Sequence, residues 1–510
     1  MTEHAQTLER RFSPFSLLSL AFVICQSWLG WSVTFPVALS AGGGPGVFYG
    51  YLVSTAACAI IACGLAEQAS AFPTSGGQYH AAFMVASPGT RRAASFFTGA
   101  FGLIAWALLT VSATIYVAQI IMALASFSHP DFVPARWQTT LVFFAVQAAC
   151  AAVPCFLARL LPRLETFWFW SSILGAGAGL VVLLVTGCSK SGRGDARTVF
   201  VEHENRTGWP DGLAFLLGVG QAMYPYLGID AATHISEEVH RPERVVPRVI
   251  GLTILIGFVT AVPFVLAILL SATDLGAVAA SLVPLLTAFH QATGNPAAAK
   301  CYVAWVLVNY FGASMSCMTT TGRLAWSFAR DGGLPWSPAL SAVHPALGMP
   351  VRATAASCVF CMLYGLIYIG SSVAFNGFVA SAVLAMHVSY AIPQATALAR
   401  GRRDTLPPGR PVDLGRFGWF CNAFTVGWVA LYAVLFCFPL GLPVEAGDMN
   451  YVGVVVVGVA VALCGIWFVG GKRETYIGPA ADLVAEMSRA SMDQARSDGI
   501  RDDADVHASK

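Results

Sequence analysis

Acidic and basic residues are spaced so unevenly along this chain that long charge-free intervals divide it into apolar segments. A helix that crosses the hydrocarbon core of a membrane needs about 20 mostly apolar residues. The interval Arg11–Glu67 holds two such segments, separated by SAGGGPG at 40–46, and Arg352–Arg400 holds two more, separated near SSVAFNG at 371–377. The pattern predicts twelve membrane-spanning helices, at about 14–38, 45–66, 94–125, 137–159, 165–187, 211–235, 248–272, 301–329, 352–371, 375–399, 418–440 and 450–471.

One further apolar interval, Asp274–Lys300, is left out of this count. Its apolar run is shorter than a span, contains Pro284 and continues into polar HQATGNP, so a surface or re-entrant helix is predicted there. The transmembrane region then covers 14–472. The sequence predicts a cytoplasmic N-terminal tail at 1–13 and a polar, disordered, cytoplasmic C-terminal tail at 473–510.

Composition agrees with a membrane setting. The 510 residues are 56% hydrophobic and 11% charged, with a formal net charge of +2, whereas soluble globular proteins average about 25% charged residues. So few charges cannot cover a water-facing surface, and no basic excess is available for nucleic acid. The C-x-x-C pair, Cys358 and Cys361, is typical of small buried hydrophobes, and no metal or cofactor is predicted. The predicted class is an all-α polytopic protein of the lipid bilayer.

Positive charge predicts the orientation of these helices. Most Lys and Arg residues collect on the side of the predicted spans that holds both tails, and cytoplasmic loops carry such an excess. Both termini are therefore expected in the cytoplasm. The sequon Asn205-Arg206-Thr207 falls on the opposite side, where Asn205 is a predicted glycosylation acceptor. We expect the plasma membrane, with the vacuolar or another endomembrane as the alternative.

Two of the predicted spans contain helix-breaking sequences at mid-membrane depth. The first contains CQSWLGW at 25–31, and the sixth contains GVGQAMYPYLGID at 218–230, with Pro225 inside. Backbone opened at this depth must face protein or a water-filled cavity. Interrupted segments at corresponding places in two halves indicate the substrate site of a secondary transporter. Spans one and six fit a five-plus-five inverted repeat followed by two helices; a pair of ordinary kinks is the alternative.

Three further segments resemble a known superfamily. They are AEQASAFPTSGGQYH at 66–80, YPYLGIDAATHISEEVHRPERVVPR at 224–248 and RLAWSFARDGGLP at 323–335. Together they are similar to the loop after helix 2, to helix 6 with its following loop, and to the end of helix 8 in the amino acid–polyamine–organocation superfamily. The QSW sequence in the first span is similar to the fungal amino acid, GABA and choline permeases. The resemblance implies a leucine-transporter-type fold and alternating access. The coupling ion stays open, and the likeness to the fungal permeases favours a proton.

The candidate substrate-binding residues come from the two breaks. The backbone of the first break is expected to hold the polar end of a substrate, and an aromatic ring of the second can cover it or attract a quaternary ammonium through cation–π interaction. Trp106 and Asn309 are added as wall residues by position. For each residue, ordinary helix packing is the alternative. The residues from the breaks are Gln26, Ser27, Trp28, Leu29, Gly30, Tyr224, Pro225, Tyr226, Leu227 and Gly228.

Four titratable residues are candidates for coupling or gating. Asp230 is an intramembrane carboxylate, which indicates a function; it either couples protons to substrate movement or locks helix 6 to a neighbour. Glu237 and Glu238 are expected to form gating ion pairs with loop arginines. His387 lies at depth in the tenth span, where it is either a proton carrier or a hydrogen-bonded packing residue.

These observations predict a permease for an amino acid, GABA, choline or a related amine, because the deep spans hold one clear carboxylate and no Lys. Its oligomeric state stays open. A membrane enzyme is the second class considered, but neither G-x-S-x-G nor H-E-x-x-H occurs in the sequence. The third class is a nutrient sensor with a transporter fold, for which we expect a longer cytoplasmic extension than the tails provide.

Overall fold

A computed structural model of the chain describes residues 10–188, 195–371, 374–444 and 450–479. Within these ranges the chain is helical, and its only β contacts are isolated bridges such as Phe12–Val239. The helices are α1 Pro14–Cys25, α2 Ser27–Ala71, α3 Gln78–Val85, α4 Arg91–Ser128, α5 Arg136–Phe156, α6 Leu161–Cys188, α7 Ala196–Phe200, α8 Asp211–Gln221, α9 Pro242–Ser271, α10 Leu275–Ala280, α11 Pro284–Thr293, α12 Pro296–Arg330, α13 Ser337–Leu340, α14 Val351–Gly365, α15 Ile367–Gly370, α16 Ala374–Arg400, α17 Arg402–Thr405, α18 Gly415–Leu435, α19 Val452–Phe468 and α20 Lys472–Thr475.

Nine helical segments in the described ranges are long and apolar enough to cross a membrane. They are Pro14–Ala71, Arg91–Ser128, Arg136–Phe156, Leu161–Gly187, Pro242–Ser271, Pro296–Arg330, Val351–Gly370, Gly377–Arg400 and Gly415–Leu435. The first of them contains two of the predicted spans, and Val452–Phe468 is a shorter apolar helix. The predicted sixth span is α-helical only over α8.

The break in the first span falls at one residue. Ser13 caps α1 by accepting a hydrogen bond from the Ser16 N–H, and Pro14 occupies the first helical position, where no N–H is needed. The helix ends at Cys25 because Gln26 adopts φ 34° and ψ 54°, a left-handed conformation that is uncommon for a residue other than glycine. α2 then begins at Ser27.

The glycine-rich turn predicted at 40–46 separates the two halves of the first long segment. Gly42 and Gly43 have non-helical backbone angles, with φ of Gly43 at +64°. A Cβ at Gly44 would collide with the carbonyl oxygen of Thr198. Glycine is therefore required because α7 packs directly on this turn.

The sixth segment is predicted as a span at 211–235 with a break inside it, and in the structure its whole second half lacks α-helix. After α8 the chain forms a 3₁₀ turn at Tyr224–Tyr226 and a second one at Thr233–Glu238. Pro225 cannot donate a backbone hydrogen bond, and Gly228 has φ +85°. Bonds of the short i to i+3 type replace the α-helical ones, for example from the Ala231 N–H to the Gly228 carbonyl.

Two regions outside the long helices also take defined structure. The interval left out of the span count forms α10 and α11, of which α11 is about 15 Å long and too short to cross the bilayer. Residues 473–479, predicted as part of a disordered tail, pack against the bundle. The Tyr476 ring is fully buried, its hydroxyl lies 2.8 Å from Ser95 Oγ, and its carbonyl accepts from Arg92. The rest of that predicted tail lies outside the described residues.

We name the two ends of the bundle by residues that lie there. The Phe12 end holds Phe12 and Lys472, and the Asn205 end holds Asn205 and the turn at 40–46. The Phe12 N–H donates to the Glu238 carbonyl, and Lys472 Nζ donates to the Gly332 carbonyl. The first and last described segments therefore lie at the same end. Inside the bundle, α4 packs against α12 and α16, while α2 packs against α8 and α9.

Candidate functional site

A cavity of about 20 Å³ lies where the break of the first span meets the first 3₁₀ turn of the sixth segment. It is walled by α1 and α2, by α4 and α12, and by the segment at 224–227. Every residue that lines it is buried. The lining residues are Ile24, Cys25, Gln26, Gly30, Leu109, Ala113, Tyr224, Leu227, Tyr310, Ala313 and Cys317.

Four of the residues predicted from the breaks lie in this wall: Gln26, Gly30, Tyr224 and Leu227. The sequence reasoning missed the other seven. Those on α4 and α12 follow helical spacing, at 109 and 113 and at 310, 313 and 317, so a periodic small-and-aromatic face was visible in the sequence. Nothing in the sequence showed that these faces turn toward the breaks.

Other predicted residues lie behind the wall and join the two broken segments. Ser27 Oγ donates to the Pro225 carbonyl at 2.9 Å. A Cβ at Gly30 would lie 3.1 Å from Pro225 Cα, so glycine permits this close approach. The Tyr226 hydroxyl lies 2.7 Å from the Tyr51 hydroxyl on α2. These contacts fix the two breaks against one another.

The remaining predicted wall residues face neighbouring helices. Gln26 Nε2 donates to the Asn309 carbonyl at 2.9 Å, while Gln26 Oε1 and Asn309 Oδ1 are buried without a partner. Trp28 Nε1 donates to Ser172 Oγ on α6. The Leu29 carbonyl accepts from the hydroxyl of Tyr310 at 3.1 Å. A Cβ at Gly228 would lie 3.0 Å from the Trp106 ring.

Two tyrosine rings dominate the cavity wall. The Tyr224 hydroxyl lies 3.0 Å from Ser112 Oγ, and the Tyr310 ring packs edge-to-face on Tyr116 with centroids 4.8 Å apart. The first-turn N–H groups of Ser27 and of the following residue have no side-chain cap. The cavity thus combines aromatic faces, which attract a cation, with backbone amides nearby, which attract an anion.

Asp230 lies beyond the cavity, 1% exposed, in a network of three donors. Tyr390 of α16 donates to Oδ1 at 2.6 Å, while His234 Nε2 at 2.9 Å and Trp106 Nε1 at 3.3 Å lie at Oδ2. The other ring nitrogen of His234 faces the Ser75 carbonyl at 3.1 Å. A carbonyl oxygen only accepts hydrogen bonds, so Nδ1 of His234 carries a hydrogen. The 2.9 Å contact between His234 Nε2 and Asp230 Oδ2 then requires one proton between these two atoms.

The sequence reasoning missed both His234 and Tyr390. The position of His234, four residues after Asp230, was a usable signal because one helical turn brings such residues together. Tyr390 gave none, since it lies 160 residues away. His387, the other deep titratable residue, bonds to the Val383 carbonyl one turn back at 2.8 Å, and the structure pairs Asp230 with Tyr390 rather than with His387.

Two ion pairs close the Phe12 end beside this network. Glu237 forms a bidentate pair with Arg330, with both N–O distances at 3.0 Å, and Glu238 pairs with Arg323. Both arginines lie on α12, not on a loop as predicted. The Arg323–Glu238 pair is buried, with both side chains 2% exposed, whereas the Arg330 side chain is 29% exposed.

Asn205 lies in the loop that precedes α8. Its Nδ2 donates to the Trp209 carbonyl at 2.6 Å and to Asp211 Oδ1 at 2.9 Å, and its Oδ1 accepts from Thr207. Attaching a glycan replaces one hydrogen of Nδ2, so one of its two donated bonds would have to break. In the part of the chain that the structure describes, no three His, Cys, Asp or Glu residues come together as metal ligands.

Helices long enough to cross a membrane, two of them broken beside a closed cavity, define a multi-pass membrane transporter. Residues 15–461 match the family described as amino acid permease. The chain belongs to this family, within the fungal branch of the amino acid–polyamine–organocation superfamily, so the predicted membership is confirmed. The members of this family are transporters, which also confirms the prediction that the protein is not an enzyme.

Individual relatives span nearly the whole chain. A choline transporter from Saccharomyces cerevisiae is 35% identical over 470 residues, which cover 92% of this chain and 82% of the relative. An amino-acid permease from Arabidopsis thaliana is 27% identical, covering 94% and 95% of the two chains. A crystal structure of a mutant manganese transporter from Eremococcus coleocola aligns with a TM-score of 0.55 at 12% identity, covering 91% and 95%, and shows a shared fold.

Proposed function

We propose that the protein is a secondary active permease that moves a small amine or amino acid across the membrane by alternating access, coupled to protons. The proposal includes twelve spans, of which the first ten form two inverted repeats, both termini in the cytoplasm, and a location in the plasma membrane. The observation that carries it is the buried cavity at the meeting of two broken helices, between two ends that are bonded shut.

In alternating access, the protein passes through an intermediate in which the substrate cavity is closed toward both sides of the membrane. At the Phe12 end the ion pairs of Glu237 and Glu238 hold the sixth segment to α12. At the Asn205 end the Arg206 N–H donates to the Ser40 carbonyl at 2.8 Å, which holds the loop before α8 on the glycine turn. A cavity of about 20 Å³ admits little more than one water molecule. Substrate binding therefore requires the surrounding helices to separate.

The chemistry of the wall supports an amine as substrate. None of the lining residues is Asp, Glu, Lys or Arg. The faces of Tyr224 and Tyr310 suit a quaternary or primary ammonium, and the unpartnered Gln26 Oε1 can accept from an N–H or O–H group. Choline is the first candidate because the relative at 35% identity is a choline transporter; GABA and amino acids, whose carboxylates need the backbone amides, follow.

In this proposal Asp230 acts as a lock. Its two oxygens are occupied by Tyr390, His234 and Trp106, and these partners join the sixth segment to α16 and α4. Breaking these bonds is necessary for the Phe12 end to open. Glu237 and Arg330 act in the same way at a partly buried position, where water replaces a lost partner more easily than at the fully buried Arg323–Glu238 pair.

The test is a radiolabelled uptake panel with choline, GABA and amino acids in cells lacking their own permeases, run with and without a proton uncoupler. We expect concentrative uptake of one amine, recovered chemically unchanged and abolished by the uncoupler. Tyr224→Ala should lower uptake at a substrate concentration below KM while surface expression stays normal, with the lipid-facing variant Gly177→Ala as its control. Binding without flux would favour a sensor, and conversion of the solute would favour an enzyme; either result would contradict the proposal.

A further inference from the structure

Glu165 is a buried carboxyl group that the proposed transport cycle does not yet use. It lies in the first turns of α6 and is 0% exposed. Its hydrogen-bond partner is the Ser316 hydroxyl of α12, which lies 2.8 Å from both carboxyl oxygens. No ion pair to Glu165 exists among the residues that the structure describes. The carboxyl group is thus enclosed between two helices with a single neutral partner.

The geometry around Ser316 indicates which form of Glu165 is present. Ser316 Oγ also lies 2.9 Å from the Gly312 carbonyl, one turn back. A serine hydroxyl has one hydrogen, and a carbonyl can only accept. When that hydrogen points to Gly312, the contact with Glu165 is a hydrogen bond only if the carboxyl group is the donor. A protonated Glu165 satisfies both contacts at once.

One positive charge near Glu165 favours its ionised form, but that charge is already paired with another carboxylate. Arg323 of α12 is the positive group whose field reaches it, and that guanidinium is already paired with Glu238. Cys317, the other titratable neighbour on α12, is neutral as a thiol and repels a carboxylate when ionised. Three other helices also pack on α6: α1 carries no Asp, Glu, Lys, Arg or His, and α11 carries only His290. The charged residues of α9 are Glu243, Arg244 and Arg248 in its first two turns, and none of them bonds to Glu165. A buried carboxylate without a paired cation is costly, so this conformation holds the proton.

Helix α12 forms one side of the Glu165 site and also one wall of the substrate cavity. Ala313 and Cys317 of α12 line the cavity, whereas Gly312 and Ser316, one residue before each, face α6. Contact on that face is tight, since a Cβ at Gly312 would lie 2.5 Å from the ring of Trp168. Enlarging the cavity for a substrate therefore displaces α12 against α6 and changes the surroundings of Glu165.

Two unpartnered polar atoms lie next to the site along the same helices. Trp168 Nε1 is three residues after Glu165 on α6, and Thr319 Oγ1 is three residues after Ser316 on α12; both are buried without a hydrogen-bond partner. The Trp168 N–H can donate a hydrogen bond to water that enters when α6 and α12 separate, and the Thr319 hydroxyl can both donate and accept one. Water at this point would stabilise an ionised Glu165 and receive its proton.

We propose that Glu165 binds the coupling proton: its carboxyl group is protonated in the closed conformation and releases the proton to water when α12 moves away from α6. This inference rests on the proposed function, because it assigns the ion-binding residue of that transport cycle. It gives Glu165 a role distinct from Asp230, whose oxygens are already engaged by three donors.

The test uses the full chain purified in proteoliposomes, with radiolabelled choline as the probe and the membrane potential clamped at zero. Two readouts are compared, choline counterflow at uniform pH and choline accumulation driven by a pH gradient. Glu165→Gln keeps the shape and a hydrogen-bond donor but cannot exchange a proton. We expect its counterflow to stay within about twofold of the wild type, while gradient-driven accumulation falls to the level without a gradient.

Ser316→Ala and Ser314→Ala form a matched pair that does not depend on the folding of the Gln variant. Each removes a hydroxyl bonded to the carbonyl one turn back, but only Ser316 touches Glu165. Loss of the Ser316 hydroxyl removes the acceptor that stabilises the protonated carboxyl group in the closed conformation. The pH of half-maximal counterflow should therefore fall by about 0.5–1 units in Ser316→Ala and stay unchanged in Ser314→Ala.

The possible outcomes separate this inference from the function on which it rests. Wild-type accumulation together with equal accumulation in Glu165→Gln overturns the role of Glu165 and leaves the permease intact. Identical pH profiles of the two serine variants overturn it as well. Wild-type choline flux that does not depend on the pH gradient would show that transport is not coupled to protons. Absence of flux for every amine in a panel would contradict the proposed function itself.

Discussion

Replacing Gly228 by alanine tests whether the sixth segment is held in the conformation described here. Gly228 has φ +85°, in the left-handed region that side chains disfavour. A Cβ at this position would lie 2.8 Å from Ile24 Cγ2 and 3.0 Å from the Trp106 ring. The substitution therefore strains the backbone and pushes α1 and α4 away from the turn that leads to Asp230.

The two effects have separate magnitudes. A left-handed conformation costs a residue with a Cβ ~1–2 kcal/mol, and overpacking a closely packed interior costs ~1–3 kcal/mol. Gly228→Ala should thus lower the free energy of unfolding by ~2–5 kcal/mol. Gly177→Ala is the matched control: it lies in α6 with open space around the new Cβ, and alanine in a helix stabilises by ~0.5–1 kcal/mol over glycine.

Thermal unfolding of the purified protein in detergent measures the difference between these two variants. We expect Gly228→Ala to unfold at a temperature several degrees below the wild type and to lose uptake, and Gly177→Ala to match or slightly exceed the wild type in both. Equal unfolding temperatures for the two variants would refute the reasoning, because the strain and the collision would then not exist.

Three further predictions concern the Tyr224 ring in the cavity wall, the Glu237–Arg330 ion pair and the carboxyl group of Asp331. Tyr224→Ala should raise the KM of an amine ~2–30-fold in uptake kinetics, since cation–π attraction contributes ~0.5–2 kcal/mol, whereas Tyr224→Phe keeps the ring and the affinity. Arg330→Ala and Glu237→Gln break the same pair and should both increase the labelling of a cysteine placed at the Phe12 end; labelling by only one variant would contradict a shared gate. Burial raises the pKa of Asp331 to about 6, against the attraction of the neighbouring guanidinium. The folded state then binds more protons than the unfolded state, whose pKa is about 3.9, so stability should fall as pH rises from about 4 to about 6. A series of unfolding measurements across that range should show the slope in the wild type and its loss in Asp331→Asn.

The long helices could be predicted from the sequence because a hydrocarbon core requires uninterrupted apolar length. The glycines at 40–46 also marked a turn correctly, since a close approach by Thr198 leaves no room for side chains. The extent of the break in the sixth segment could not be predicted. Pro225 and Gly228 show where a helix stops, but the non-helical path beyond them depends on distant partners such as Tyr390.

The site was predictable to a similar degree. Helix-breaking residues locate a cavity because opened backbone in a membrane needs protein or water, and Gln26 and Tyr224 do lie in the wall. The residues contributed by unbroken helices carry no such mark. Tyr310 and Cys317 share a face of α12, but the rotation of that helix is set by packing such as that of Gly312 on Trp168, which only the folded chain contains.

The Arg323–Glu238 and Arg330–Glu237 ion pairs explain how the Phe12 end can be held closed and still open during transport. Removing one partner of a buried pair such as Arg323–Glu238 costs ~3–5 kcal/mol, because the other charge stays buried without compensation. Opening the gate is different, since both side chains then meet water and are hydrated. A point substitution at this pair should therefore disturb the protein more than the movement that separates it. The same reasoning favours ion pairs over apolar contacts at a gate, because separated charges regain their interactions with water and exposed apolar surface does not.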